Sequence, residues 1–222
     1  MSHMHLDSQQ IKKGFVLLGI FIALRAILTY ITGATGEAQS LLQRVAFLAA
    51  GFFMLSIGLT YFGFTRWVGV DLSQWWNFDK KRLPGDIGWG LLGFTLAFVV
   101  NIGFVLLASQ LGLIPPAATA SQPAQLGLWD WLLNLFFGFA IAGFQEETIF
   151  RGFLMDALHE RFGSTGSVLI QSLIFSLAHI GYFPLEGWIF FVLAFVMGLL
   201  FGLLRMKRGS LIAAWIAHGL TG

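Results

Sequence analysis

Charged residues are scarce in this sequence: they make up 11% of its 222 positions, whereas hydrophobic residues make up 57%. A soluble domain of ordinary composition carries about 25% charged residues. The chain therefore has too few of them to cover a water-facing surface, and we predict an integral membrane protein. Its apolar runs have helical length and do not alternate, which excludes an outer-membrane barrel and predicts an all-α, polytopic transmembrane bundle.

Cysteine is absent altogether, which excludes disulfide bonds, thiolate metal ligands and a thiol nucleophile. The net charge of +2 is too small to indicate a nucleic-acid partner. No Ser-His-Asp arrangement is apparent, and the HExxH spacing of zinc proteases is missing. Chemistry in this chain must therefore come from carboxylates, histidines and arginines.

Hydrophobic segments follow one another along the whole chain. Arg25 interrupts the first of them, which we interpret as a membrane anchor and not as a cleaved signal peptide. The last has about 14 residues, roughly 21 Å of helix, which is short of a ~30 Å bilayer core. We expect it to be a partial helix unless the chain continues. The predicted segments are residues 14–31, 41–64, 87–108, 128–147, 167–180, 188–204 and 209–222.

The flanking residues predict the topology. A polar stretch at residues 66–86 contains Trp67, Trp75 and Trp76, which are expected at the level of the lipid headgroups. The proline-containing loop at 111–127 and the loop at 181–187 have no Lys or Arg. If every segment crosses once, the basic clusters share the opposite side, and the positive-inside rule places the N-terminus in the cytoplasm. Those clusters are Lys12-Lys13, Lys80-Lys81-Arg82, Arg161 and Arg205-Lys207-Arg208.

Two carboxylates and a guanidinium stand where hydrocarbon is expected, at Glu146, Glu147 and Arg151. Each charge at membrane depth costs at least ~2.5–3.5 kcal/mol, so retained charges indicate a function. Glu147 and Arg151 have the i,i+4 spacing of a helical ion pair, and we interpret them as structural. The two glutamates point about 100° apart on a helix, so we expect different tasks, with Glu146, which lacks a local cation, as the general base. The alternative is that all three charges touch headgroups at the end of the apolar run.

Two histidines lie in other apolar segments, His179 in the fifth and His218 in the last. One carboxylate and two imidazoles can activate a water for hydrolysis, either directly or through a metal such as Zn²⁺ bound by Glu146, His179 and His218. For His179 the alternative is a hydrogen bond to a neighbouring helix. Glu146 and His179 reach the same depth only if the fourth helix runs on into residues 154–158, and we predict that it does.

The order of these motifs resembles the CAAX-protease and bacteriocin-processing family of intramembrane endopeptidases. The resemblance rests on Glu146-Glu147-xxx-Arg151, then Phe175-xxx-His179, then His218, and it covers residues 128 to 222. It implies a bundle of about seven to eight helices with a conical or central intramembrane cavity. Residues 1–127 would supply N-terminal membrane helices and a surface segment, and 128–222 the catalytic core.

Site roles follow from the same resemblance. Glu146 and His179 would activate water, His218 would stabilise the oxyanion, and Phe175 would support the site. The family has an Asn or a similar residue four positions after the last histidine, whereas this chain has Gly222. The implied substrate is a membrane-associated peptide or protein, met within the lipid bilayer.

Two other functions stay open at the level of the sequence. A non-enzymatic immunity or partner-binding protein on the same scaffold would account for the glycine at position 222. A small-solute transporter would also use buried Glu and His as a proton relay. Against the transporter, no inverted repeat is visible.

Overall fold

The computed structural model describes residues 4–34, 41–113, 127–179 and 188–221. These ranges are helical throughout apart from short turns, and they contain no β-strand. The all-α prediction is therefore confirmed for the described part of the chain. The helices are α1 (Ser8–Ala34), α2 (residues 41–68), α3 (Leu72–Trp76), α4 (Leu83–Gln110), α5 (residues 128–154), α6 (Met155–Leu177), α7 (Trp188–Arg208) and α8 (Ile212–Thr221).

Two of these helices contain widened, π-helical turns, in which each N–H bonds to the carbonyl five residues earlier. α2 is α-helical over Leu41–Gly51 and π-helical over Phe52–Val68, where it closes with a bond from Gly69 N to Phe64 O. α5 changes geometry three times: it is α-helical over Leu128–Phe136, π-helical over Phe137–Gly143, α-helical over Phe144–Glu146 and π-helical over Glu147–Leu154. Wide turns of this kind occur frequently at functional sites, and the last one begins directly after Glu146.

α5 passes into α6 without a break, which confirms that the fourth helix extends beyond Leu154. The interruption comes later, at Gly163, where φ is 66° and the backbone leaves the helical region. Only glycine adopts such a φ at little cost. Glu146 consequently lies well inside a long helical segment and not at a helix end.

Three described helical stretches are long and apolar enough to cross a membrane: Val45–Val68, Leu83–Gln110 and Phe190–Arg208. α8 is apolar but shorter. The protein is therefore an integral membrane protein, while the count of seven to eight spans and the cytoplasmic N-terminus stay predictions. The loop at 181–187 and most of the proline-containing loop lie outside the described residues.

α8 packs against α4 and against the first π-helical stretch of α5. The contact with α5 is very close, since a Cβ built on Gly138 would lie 2.4 Å from the carbonyl oxygen of Gly219. Trp215 strengthens the contact, because its Nε1 donates a hydrogen bond of 2.8 Å to the carbonyl of Phe139. Together these contacts fix the position of the neighbouring His218.

A large apolar cluster joins α1, α2, α3, α5 and α6, and a smaller one joins α7 and α8. The headgroup level of Trp67, Trp75 and Trp76 stays a prediction, but Trp75 does not face the surroundings of the bundle. It is fully buried in the larger cluster, and its Nε1 donates to Asp156 Oδ2 at 2.8 Å. Trp67, by contrast, is 44% exposed. Trp75 is buried because α3 packs against α2 and α5, where its indole N–H also meets the buried carboxylate of Asp156.

Candidate active site

The ion pair expected from the i,i+4 spacing is present in α5. Arg151 Nη1 lies 3.0 Å from Glu147 Oε1, and both side chains are completely buried. The guanidinium carbon of Arg151 also lies 4.2 Å from the ring centroid of Phe175 and 5.2 Å from that of Phe201. An aromatic face stabilises a desolvated cation. These partners make a buried charge tolerable at this position.

His218 brings α8 to both glutamates. Its Nδ1 lies 2.7 Å from Glu147 Oε1, and its Nε2 lies 3.5 Å from Glu146 Oε2. The ring stacks on Phe201, with the centroids 5.0 Å apart. The prediction that the two carboxylates have different tasks stays a prediction. A single imidazole from another helix reaches both of them.

His179 lies just after the end of α6, with its ring packed on Phe175. Its Nδ1 is 2.7 Å from the carbonyl oxygen of Phe175. Since a carbonyl only accepts hydrogen bonds, Nδ1 carries the hydrogen of the neutral ring, and Nε2 is left as an acceptor. That Nε2 lies 3.3 Å from Arg25 Nη2.

Arg25 supplies a cation to Glu146 that no residue at helical spacing provides. It extends from α1, and its Nη1 forms a hydrogen-bonded ion pair with Glu146 Oε1. Sequence reasoning misses this contact, because spacing along one helix reveals only the local cations of Glu146. The signal in the sequence is a lone arginine within the first apolar segment, where an unpartnered charge is costly.

Glu146, His179 and His218 come together as the sequence predicts. All three line a cavity of about 740 Å³, and so does Arg25. These four polar side chains contact one another in its wall. The remaining wall is mostly apolar and includes Phe94, Phe98, Trp131, Leu193, Met197 and Phe201.

One carboxylate oxygen in the cavity wall is left without a hydrogen bond. Glu146 Oε2 is buried and has no hydrogen-bond partner among the described residues. The nearby Nε2 of His218, at 3.5 Å, is too far for a good direct hydrogen bond. Glu146 therefore keeps an acceptor oxygen that the described residues do not use, as a general base must.

The same side chains are poorly arranged for a metal ion. No group of three or more His, Asp or Glu side chains in the described ranges is placed to hold one. The guanidinium of Arg25 contacts both Glu146 and His179, and it offers N–H donors where a metal needs lone pairs. A zinc site made by Glu146, His179 and His218 stays a prediction, and the mechanism proposed below does not require it.

Two comparisons with known proteins found a match. The family model described as "Type II CAAX prenyl endopeptidase Rce1-like" matches residues 128–222. An Escherichia coli protein named "Uncharacterized 24.3 kDa protein" is 30% identical over 202 residues, which is 89% of this chain and 83% of that protein. No solved structure matches the chain significantly. The matched stretch of the family model contains both glutamates and both histidines of the site.

Proposed function

The chain belongs to the Rce1-like family of type II CAAX prenyl endopeptidases, and we propose that it is an intramembrane endopeptidase. It would hydrolyse a peptide bond close to the membrane-associated end of a protein or peptide. The observation that carries the proposal is the convergence of Glu146, His179 and His218 on one cavity. A membrane-embedded carboxylate beside two imidazoles is the arrangement that activated-water hydrolysis needs.

The proposed chemistry begins with a water at Oε2 of Glu146. Glu146 accepts a proton from this water as its oxygen attacks the peptide carbonyl carbon. The carbonyl π electrons move to oxygen and give a tetrahedral oxyanion. When the C–N bond breaks, the same proton passes to the leaving nitrogen, so a carboxylic acid and an amine are produced and Glu146 is restored. His179 Nε2, the acceptor nitrogen of its ring, helps to orient the water. His218 Nε2 lies 3.5 Å from Glu146 Oε2, next to the reacting groups.

Glu147 and Arg151 support this chemistry without taking part in it. Glu147 accepts the hydrogen bond of His218 Nδ1 and so directs Nε2 toward Glu146. Arg151 forms an ion pair with Glu147, and its guanidinium packs on the ring of Phe175. A histidine oriented by a carboxylate keeps its tautomer and its angle, which preserves the reactive geometry.

The apolar wall of the cavity supports a membrane-associated substrate. Phe94 and Phe98 of α4 both line it, and Phe98 is 54% exposed. A lipid-bearing or strongly apolar peptide would gain contacts there that a polar peptide cannot make. A farnesylated peptide with a C-terminal CAAX sequence is the first substrate to test, in view of the family description.

The test is cleavage of that peptide by the purified full chain in detergent or in liposomes, with the products identified by mass spectrometry. We expect one internal cut by the wild-type protein and none by Glu146→Gln or His179→Ala. Arg66→Met, which changes an exposed arginine on α2, is the matched control and should cleave normally. Full activity of Glu146→Gln would contradict the proposal.

A non-enzymatic membrane protein that binds a partner is the alternative. It is favoured by Gly222, which offers no side-chain donor at the position where the resembled family has one. In that case neither the farnesylated peptide nor its unmodified form would be cut. A cellular phenotype would also survive the Glu146→Ala substitution.

A further inference from the structure

Arg25 reaches the site from outside the stretch that the family model matches. It belongs to α1, whereas the family model covers residues 128–222. Its side chain is 10% exposed and lines the cavity. A cation in an apolar helix is costly and usually has a function. We infer that the function of Arg25 goes beyond its pairing with Glu146.

The position of Arg25 differs from that of a purely structural cation. Arg151 is sealed behind Glu147 with both side chains at 0% exposure. The fork of Arg25 instead reaches Glu146 Oε1 with one terminal nitrogen and approaches His179 Nε2 with the other. It therefore lies between the two groups that we assign to the attacking water, at the cavity surface where the peptide carbonyl must be placed.

The balance of charge gives Arg25 a role during the reaction. In the resting site, its positive charge is balanced by the Glu146 carboxylate. When Glu146 takes the proton of water, that negative charge leaves the carboxylate and appears on the carbonyl oxygen. The guanidinium then has a new anion within a few ångströms and has lost its old one. An interaction that shifts in this way is strengthened in the transition state, which is the requirement for catalysis.

We propose that Arg25 is a catalytic residue that donates hydrogen bonds from its guanidinium to the tetrahedral oxyanion. The inference rests on the proposed function, because it assumes peptide hydrolysis at Glu146. No bond to Arg25 is made or broken, and it keeps its protons throughout. The role would also supply a donor that Gly222 cannot provide through a side chain.

The first test measures kcat and KM on the farnesylated peptide for Arg25→Lys and Arg25→Met. Loss of one oxyanion donor lowers kcat by about 10²–10³-fold, and we expect this for Arg25→Met with KM changed by less than about threefold. Arg25→Lys keeps the charge but loses the planar fork, so an intermediate loss is expected. Arg66→Met is again the matched control and should leave both constants unchanged.

A second test removes the effect of an unpaired glutamate. In a Glu146→Gln background the Arg25–Glu146 ion pair no longer exists, so a further Arg25→Met change does not leave a carboxylate at position 146 without its cation. The probe is a farnesylated peptide phosphinate, whose anionic tetrahedral phosphorus imitates the oxyanion. We expect Arg25→Met to weaken phosphinate binding by about 100-fold or more, and to change binding of the uncleaved peptide by less than about threefold.

The outcomes separate the two proposals. Equal phosphinate binding with and without Arg25 would overturn the inference, reduce Arg25 to a partner of Glu146, and leave the proposed function standing. Weaker binding of both ligands by the same factor would also overturn it, since it would mean that Arg25 only shapes the cavity. A wild-type protein that neither cuts the peptide nor binds the phosphinate would contradict the proposed function and the inference together.

Discussion

Two neighbouring carboxylates in α5 have contrasting surroundings. Glu147 is sealed at 0% exposure and is paired with Arg151 on its own helix. Glu146 borders a cavity of about 740 Å³ and is paired with Arg25 on a distant helix, although each glutamate has one buried oxygen without a hydrogen bond among the described residues. The two residues are of the same type and are adjacent in α5. The difference in partners and access separates a carboxylate that holds the fold from one that can react.

This contrast shows how a buried charge can be assigned a role. A completely buried ion pair holds its helices in a fixed arrangement, but it leaves no room for a substrate. An ion pair at a cavity wall lies next to the space that a substrate can enter. Substitutions that change only one of the two pairs test whether their roles differ in this way.

The largest effect on stability is expected from a change in the buried Glu147–Arg151 pair. Arg151→Met should lower the free energy of unfolding by about 3–5 kcal/mol, because it leaves Glu147 buried without its cation. For a chain of this length that corresponds to a fall in Tm of roughly 6–20 °C. Thermal unfolding in detergent, followed by tryptophan fluorescence, measures it. A Tm equal to that of the Arg66→Met control would show that the pair does not hold the fold.

A smaller effect is expected where α8 meets α5. Gly138→Ala would place a methyl group 2.4 Å from the Gly219 carbonyl oxygen, which is backbone and cannot rotate away. Overpacking of this kind costs about 1–3 kcal/mol, and it should also lower kcat because His218 moves with α8. Gly103→Ala is the matched control, since its Cβ would meet nothing within 4 Å. Equal kcat for the two variants would contradict the idea that this contact positions His218.

Much of this arrangement is predictable from local sequence. The i,i+4 spacing predicts the Glu147–Arg151 pair, and the depth argument predicts that α5 continues past Leu154. The first depends on spacing within a single helix, and the second on comparing the depths of Glu146 and His179 in their own segments. The grouping of His179 and His218 with Glu146 follows from their positions in separate apolar segments and from the resemblance to a family.

The contacts that sequence reasoning misses are those made between distant helices. Arg25 contacts Glu146 across 121 positions, and nothing in the spacing of charges reveals that α1 faces α5. The polar stretch around Trp75 predicts the headgroup level, whereas tertiary packing buries this residue against Asp156. His218 reaches both glutamates because α8 comes unusually close to α5 at Gly138, a contact that no periodicity encodes.

The smallest effect on kcat is expected from metal removal, which tests how Glu146 activates water. If Glu146 activates water directly, dialysis against EDTA or 1,10-phenanthroline should leave kcat unchanged, and metal analysis should find less than one equivalent per chain. Activity that is lost with the metal and restored by Zn²⁺ would instead favour a metal-bound water. The control is the same treatment applied to a known zinc protease.

Measuring Tm and kcat for Glu146→Gln beside Glu147→Gln decides whether the two carboxylates divide reaction and stability between them. We predict that Glu146→Gln lowers kcat by about 10²–10⁴-fold and leaves Tm within a few degrees, because Arg25 borders the cavity and can be hydrated there. Glu147→Gln should have the opposite balance, with a marked fall in Tm and a smaller loss of kcat in the protein that remains folded. A Glu146→Gln variant that unfolds but stays active while folded, beside a stable and inactive Glu147→Gln, would contradict this division of roles.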